Sequence, residues 1–277
     1  MNILKHLLNF YINSSIHVAL AVVSLAWITL IEYDISFDKN VLFFVFYASI
    51  IGYNFVKYFG IAKSYYRRVT NWFKTILVFS FICFFLMCYY IYQLQTNTLL
   101  CVFGFGIITL FYAVPFLPKD MFLDNKNNLR SIGGLKIYVI AIVWSGVTVI
   151  LPLINNNYTV GVDVLITGLQ RFVLIIVLMF PFEIRDLQFD SLKLATIPQK
   201  IGLKQTKILG VLLVIVFFFL EFFKDEIDIK KIIVLLIVSV TTLLLLLFSK
   251  IQQGKYYSSF LVEALPIFWL ILLLRLD

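Results

Sequence analysis

Nine apolar segments divide nearly the whole chain, and each is close to the length a helix needs to cross a hydrocarbon layer. They run Ser14–Tyr33, Val41–Gly60, Thr75–Leu94, Leu99–Leu117, Ile137–Ile154, Val164–Ile184, Ile208–Phe223, Ile232–Phe248 and Phe260–Leu274. A crossing takes about 20 residues, and every backbone polar group inside hydrocarbon must find its partner within the structure. Repeated runs of this length therefore restrict the chain to helix. With 62% hydrophobic and 14% charged residues in a chain of 277, the apolar surface exceeds what one water-soluble core hides. The sequence predicts an all-α integral membrane protein with about nine transmembrane helices around a central cavity, in a single multi-pass domain over residues 1–277.

If the register of crossings is right, alternate loops collect Lys and Arg. One set of loops holds Lys5, then Lys57, Lys63, Arg67, Arg68 and Lys74, then Lys119, Lys126, Arg130 and Lys136, then Arg185, Lys193, Lys200, Lys204 and Lys207, and last Lys250 and Lys255. The opposite set holds only Lys39, Lys224, Lys230, Lys231 and Arg275, and Arg171 lies within a span. This places the N-terminus in the cytoplasm and the C-terminus outside. The compact loops fit a cell inner membrane. The net charge of +8 follows from this asymmetry and from attraction to anionic lipid head groups, so the expected partners include membrane lipids and no nucleic acid.

Residues 1–13, MNILKHLLNFYIN, repeat apolar residues at helical spacing and read as an interfacial helix, or as an uncleaved lead-in to the first span. Cys83, Cys88 and Cys101 lie in apolar segments without metal-ligand spacing and are expected to be reduced packing residues. His17 has no Cys, Asp or His at ligand spacing and is expected to pack or to lie at the interface. Arg171 is expected either to face the cavity or to reach the outer surface.

The longest polar connections follow spans two, four and six, all on the basic side. Spans two and six end in similar polar runs four helices apart, GYNFVKYFGIAKSYYRR and PFEIRDLQFDSLKLATIP, which suggests duplication of a four-helix unit. Shared orientation alone gives the same sidedness. In the second run, a continuing helix places Glu183, Asp186 and Asp190 on one face. Like charges this close repel unless a cation is supplied. Arg185 and Lys193 supply it in one reading, an ion-pair cluster ending the helix. In the other, Asp186 and Asp190 offer oxygen ligands to Mg²⁺, which binds through one or two carboxylates together with substrate phosphates. Such a site suits a lipid diphosphate, its tail among the spans and its head at the mouth. A metal there neutralises diphosphate as it departs.

The span number, the cytoplasmic N-terminus and the run DLQFDSLKLATIPQKIG together resemble the UbiA superfamily of intramembrane prenyltransferases, over nearly the whole chain. Asp186, Asp190, Thr196, Pro198 and Gly202 match that family's second aspartate motif, and Phe111–Pro115 with Lys119 match its loop after span four more loosely. The first motif, roughly NxxxDxxxD, is broken: Asn54 fits, whereas Tyr58 and Ala62 stand where carboxylates are expected. The resemblance implies a UbiA-like fold and Mg²⁺-assisted transfer of an isoprenyl group from its diphosphate to a lipophilic acceptor. Asp186 and Asp190 would be the catalytic metal ligands, and Asn54, Lys57, Arg67, Arg68 and Lys119 would bind the substrate. In place of the missing carboxylates, the basic residues of span two would contact diphosphate directly. The alternative is a catalytically inactive protein of this fold that binds an isoprenoid or a partner. A transporter is disfavoured by the expected absence of acids deep in the spans and of broken helix pairs. Tyr53, Tyr58 and Tyr112 are the aromatics nearest the expected mouth.

Overall fold

The computed structural model describes residues 3–64, 71–114, 134–188 and 195–275. Its elements, in chain order, are α1 (Ile3–Asn13), α2 (Ile16–Glu32), α3 (Lys39–Ser64), α4 (Asn71–Ile91), α5 (Thr96–Ala113), α6 (Leu135–Ser145), α7 (Leu151–Asn155), α8 (Val162–Asp186), α9 (Ile197–Phe219), α10 (Ile229–Leu247) and α11 (Leu265–Leu273). A π-helical turn, Gly146–Ile150, joins α6 to α7 into one span, and a second, Tyr257–Val262, leads into α11. No strand occurs among the described residues. Among the described residues, seven helical spans are long and apolar enough to cross a membrane, or eight if α1 and α2, bent by 57°, form one. Where the ninth span is expected stands a shorter apolar helix of 17 residues, Tyr257–Leu273. The chain is an all-helical, multi-pass membrane protein.

The expected spans recur with shifted ends. The seventh begins at Ile197, eleven positions before the expected Ile208, because three lysines (Lys200, Lys204 and Lys207) make its first turns polar without breaking the helix. Lys207 reaches along the neighbouring helix end, donating to Leu247 O at 2.6 Å and Ser249 O at 2.8 Å. Thr196 precedes the helix, and its N–H donates to Gln199 Oε1 at 3.0 Å, one half of a capping box. Pro198 occupies the first turn, where a missing N–H costs nothing. Gly202 interrupts the helix at φ 81°, ψ 164°, a conformation open to glycine and strained for any side chain.

The α1–α2 bend is made by a serine. Ser15 takes the left-handed conformation at φ 65° and is fully buried beside Ser14. Residues outside glycine and asparagine rarely adopt it, and here tertiary hydrogen bonds described below hold it. The bend turns α1 57° away from the axis of α2.

Packing neighbours close into a ring: α2 meets α3, α5 meets α6, α6 meets α8, α8 meets α9, α9 meets α10, α10 meets α11, and α11 returns to α2. Helix α8 is the most enclosed, with 67% of its apolar window buried, against 11% for α4 and for α5. The main apolar cluster accordingly gathers on α8, where Leu174, Val177, Phe180 and Ile184 pack against Leu25, Ile137, Val214 and Val234. Helix α4 turns Leu77, Val78, Phe81 and Phe85 outward. Such a continuous apolar face is stable only against lipid. Gly146 admits the ring of Phe105 from α5 where any Cβ would collide with it.

Arg171 takes neither expected course. It is buried between helices, its guanidinium 4.8 Å from the Trp269 ring and 3.8 Å from Glu32. Its neighbour Gln170 donates to Glu221 Oε2 at 3.0 Å, and Lys224 donates to the same oxygen at 2.7 Å. These contacts join spans one, six, seven and nine at the end of the bundle away from the cavity mouth. At that end Asp38 also accepts from Asn155 Nδ2 at 2.7 Å and from Asn156 Nδ2 at 3.1 Å.

Candidate functional site: a cavity with a basic mouth

The ring encloses a cavity of about 920 Å³. That volume lies in the range of small-molecule and cofactor sites. Its deep wall is apolar, with Val22, Phe44, Met87, Ile91, Val102 and Leu151. Its mouth carries six charged side chains: Lys57 at the end of α3, Lys136 at the start of α6, Arg185 and Asp186 at the end of α8, and Lys255 and Glu263 leading into α11. Alternate spans bring these groups to one side, the side on which the sequence gathers Lys and Arg. Four cations against two carboxylates leave the mouth net positive. An amphiphile with an anionic head and an apolar tail matches this arrangement in both halves.

Asn54 is 5% exposed, and its amide is engaged by neighbouring helices. Nδ2 donates to Ser14 O at 3.0 Å and to Ser80 Oγ at 2.9 Å, while Oδ1 accepts from Ser15 Oγ at 2.8 Å. Lys57 Nζ in turn donates to Ser15 Oγ at 2.9 Å. Two buried bonds from one amide hold the bend between α1 and α2, a third ties α3 to α4, and the bend in turn places Ser15 beside the Lys57 ammonium. Asn54 thus positions Lys57 through Ser15. Tyr58, one turn on, donates to Asn13 O at 3.0 Å and fastens α1 to α3. Tyr53 and Tyr112 both line the cavity, and Tyr53 Oη accepts from Trp144 Nε1 at 2.8 Å.

Asp186 lies on the wall, paired with Arg185, whose Nε donates to Asp186 Oδ1 at 2.7 Å. The Arg185 guanidinium also stands 5.4 Å over the Phe182 ring. Of the three acids expected on one face, Glu183 and Asp186 part company: α8 ends at Asp186, followed by a turn at Leu187 and Gln188, and Glu183 is buried within the bundle at 0% exposure instead of lining the cavity. Asp190, Arg67, Arg68 and Lys119 lie outside the described residues, as does Lys193.

Among the described residues, no three His, Cys, Asp or Glu side chains cluster as a metal site. A cage made by described residues alone is therefore not present. Asp186 fits Mg²⁺ only as one protein ligand beside phosphate oxygens brought by a substrate, the mode in which Mg²⁺ ordinarily binds.

Glu263 was missed by sequence reasoning and corrects the expected absence of acids within the spans. It follows the π-helical turn, donating its N–H to Ser258 O at 3.2 Å, and faces the cavity within electrostatic reach of Lys57 and Arg185. The signal was available: FLVEALPIFWL holds one acid in an apolar run, and an ionisable group inside a span marks a functional site by default. The bent α1–α2 pair likewise departs from the expected absence of broken helices. His17 packs beside the same turn. Its Nε2 donates to Phe260 O at 2.9 Å, so Nδ1 accepts from Tyr11 Oη at 2.9 Å.

No family model matches the sequence, and no curated protein sequence matches it. Among solved structures, the chain is similar to digeranylgeranylglyceryl phosphate synthase in membranes, with a TM-score of 0.56 over 98% of this chain and 96% of that one, at 15% identity. The fold is UbiA-like. At that identity the likeness concerns architecture, and the chemistry is argued from this chain's own mouth.

Proposed function

We propose that this protein is an intramembrane prenyltransferase that takes an isoprenyl diphosphate and transfers its prenyl group to a lipophilic acceptor. The observation supporting this reading is the pairing of an apolar cavity with a mouth in which four cations outnumber two carboxylates. The UbiA-like fold, shared with a synthase named for a digeranylgeranyl lipid, supports the same substrate class. The prenyl tail lies along the deep wall. Lys57, Arg185, Lys136 and Lys255 hold the diphosphate, and Arg67, Arg68 and Lys119 are assigned to the same task from the sequence. Charge-assisted bonds to phosphate are about twice as strong as neutral ones, and Arg offers two at once.

Mg²⁺ held by Asp186 and Asp190 supplies, when bound, neutralisation of the departing diphosphate. The protein's part is to orient the donor and exclude water. Ser15 and Asn54 keep Lys57 in place at the mouth. Arg185 shields Asp186 until phosphate arrives, then is available to it. The protein resides in a cell inner membrane with the mouth, and the N-terminus, on the cytoplasmic side.

A second reading, a non-catalytic isoprenoid-binding protein, is favoured by one observation: Asp186 is already neutralised by Arg185. Incubation of the purified protein with radiolabelled geranylgeranyl diphosphate, Mg²⁺ and membrane lipid extract separates the two. Transfer of label to a new lipid that Asp186→Ala abolishes supports the enzyme. Saturable binding without transfer from any prenyl diphosphate supports the binding protein.

A further inference from the structure

Glu263 differs from the other carboxylate at the mouth. Arg185 holds Asp186 at 2.7 Å, whereas among the described residues no hydrogen bond or ion pair engages the Glu263 carboxylate. The segment before it is tied to two neighbouring helices. Gln253 Nε2 and Ser258 Oγ donate to Pro181 O in α8 at 3.0 and 3.2 Å, and His17 Nε2 donates to Phe260 O at 2.9 Å. The π-helical turn over Tyr257–Val262 shifts the register so that Glu263 faces the cavity with Ser259, Val262 and Pro266. Such turns recur at functional sites, where one displaced residue re-aims a side chain. A carboxylate inside a span, near two cations but hydrogen-bonded to none among the described residues, has a use in the cavity it faces.

The other polar side chains of the wall are poor proton acceptors. The lysines and Arg185 are cationic, Asp186 is paired, and Tyr256 is committed to Asn9 Oδ1 at 3.0 Å. Among the described residues, no histidine lines the cavity. Prenyl transfer to a protic acceptor leaves one proton to be removed.

We infer that Glu263 is the catalytic proton acceptor for a hydroxyl of the acceptor substrate. The inference rests on the prenyl-transfer reading above. The allylic C–O bond breaks, and its electron pair leaves with diphosphate. A lone pair of the acceptor oxygen forms the new C–O bond. The acceptor's hydroxyl proton passes to the Glu263 carboxylate, which later returns it to water. Lys57 and Arg185, on the same wall, keep the leaving group and the base on one side of the reacting carbon.

The test uses full-length wild type, Glu263→Gln and Glu263→Asp in lipid nanodiscs. Thermal stabilisation by geranylgeranyl diphosphate is measured first, and then product formation with a long-chain lipid alcohol and with an alkylphenol. Glu263→Gln is expected to keep its stabilisation by the donor within about twofold in apparent Kd while kcat falls about 100-fold or more, the range of general-base catalysis. Glu263→Asp is expected to recover part of the rate. Turnover by Glu263→Gln within threefold of wild type overturns the assignment, as does a parallel loss of donor binding and rate in both variants. Wild type that binds the donor but prenylates neither acceptor also overturns it. Wild type that fails to bind the donor defeats the prenyl-transfer reading itself.

Discussion

At the scale of single residues, the mouth is held by few groups with several duties each. Asn54 uses both amide hydrogens and its oxygen to join α1, α3 and α4. Hydrogen bonds between membrane helices contribute about 0.6 kcal/mol each, so Asn54→Leu is expected to lower stability by about 2 kcal/mol in denaturant titration. The same substitution frees Ser15 and weakens prenyl diphosphate binding through Lys57, without touching the ligand. Lys57→Met acts directly, and a loss of about 10- to 100-fold in affinity is expected by titration, the worth of a hydrogen bond to a charged group. Lys57, Asp186 and Asn54 were legible in the sequence because a charge or amide at the end of an apolar run is conspicuous. Glu263 is equally conspicuous as a lone acid in an apolar run, although the denser acid cluster after span six is the stronger local signal. Ser15 carries no such signal. Its left-handed backbone is selected by partners 39 and 42 positions away, which local pattern does not report.

At the scale of elements, hydropathy located the seven spans long enough to cross, the bent α1–α2 pair and the shorter last helix, since a helix in hydrocarbon must be continuously apolar and has little freedom to be anything else. Helix ends were less legible. Lysines can extend a span past its apolar stretch by carrying their charge to the surface, as at the start of α9. The expected run of helix through Glu183, Asp186 and Asp190 stopped at Asp186, because periodicity tells which face residues share only while the helix lasts. The residues that carry the family resemblance there have plain local duties: Thr196 precedes α9, Pro198 opens its first turn, and Gly202 supplies a positive φ. Gly202→Ala is expected to cost about 1 to 3 kcal/mol, read as a fall in the unfolding midpoint, because any Cβ is strained in that conformation. Gly52→Ala, where open space surrounds the added methyl and the backbone is helical, is the matched control and is expected to be neutral or slightly stabilising.

At the scale of the whole molecule, alternation of the spans delivers every charged group of the mouth to one side. The cytoplasmic assignment of that side rests on the bias of Lys and Arg between loops. Single cysteines at Lys5 and Arg275, introduced after replacing Cys83, Cys88 and Cys101, are expected to react with impermeant maleimide from opposite sides of inner-membrane vesicles. Labelling of both from the same side would contradict the nine-crossing topology. The central claim is that the cavity binds an isoprenyl diphosphate by its basic mouth, and thermal unfolding of the detergent-solubilised protein tests it most directly. Geranylgeranyl diphosphate at about a hundred times its Kd is expected to stabilise wild type by about 2.7 kcal/mol, as binding to the folded state alone requires. Lys57→Met/Arg185→Ala is expected to lose most of that gain at the same concentration, and geranylgeraniol, which lacks the diphosphate, is expected to give little of it. A folded wild type that shows no shift with the diphosphate, with or without Mg²⁺, would contradict the account.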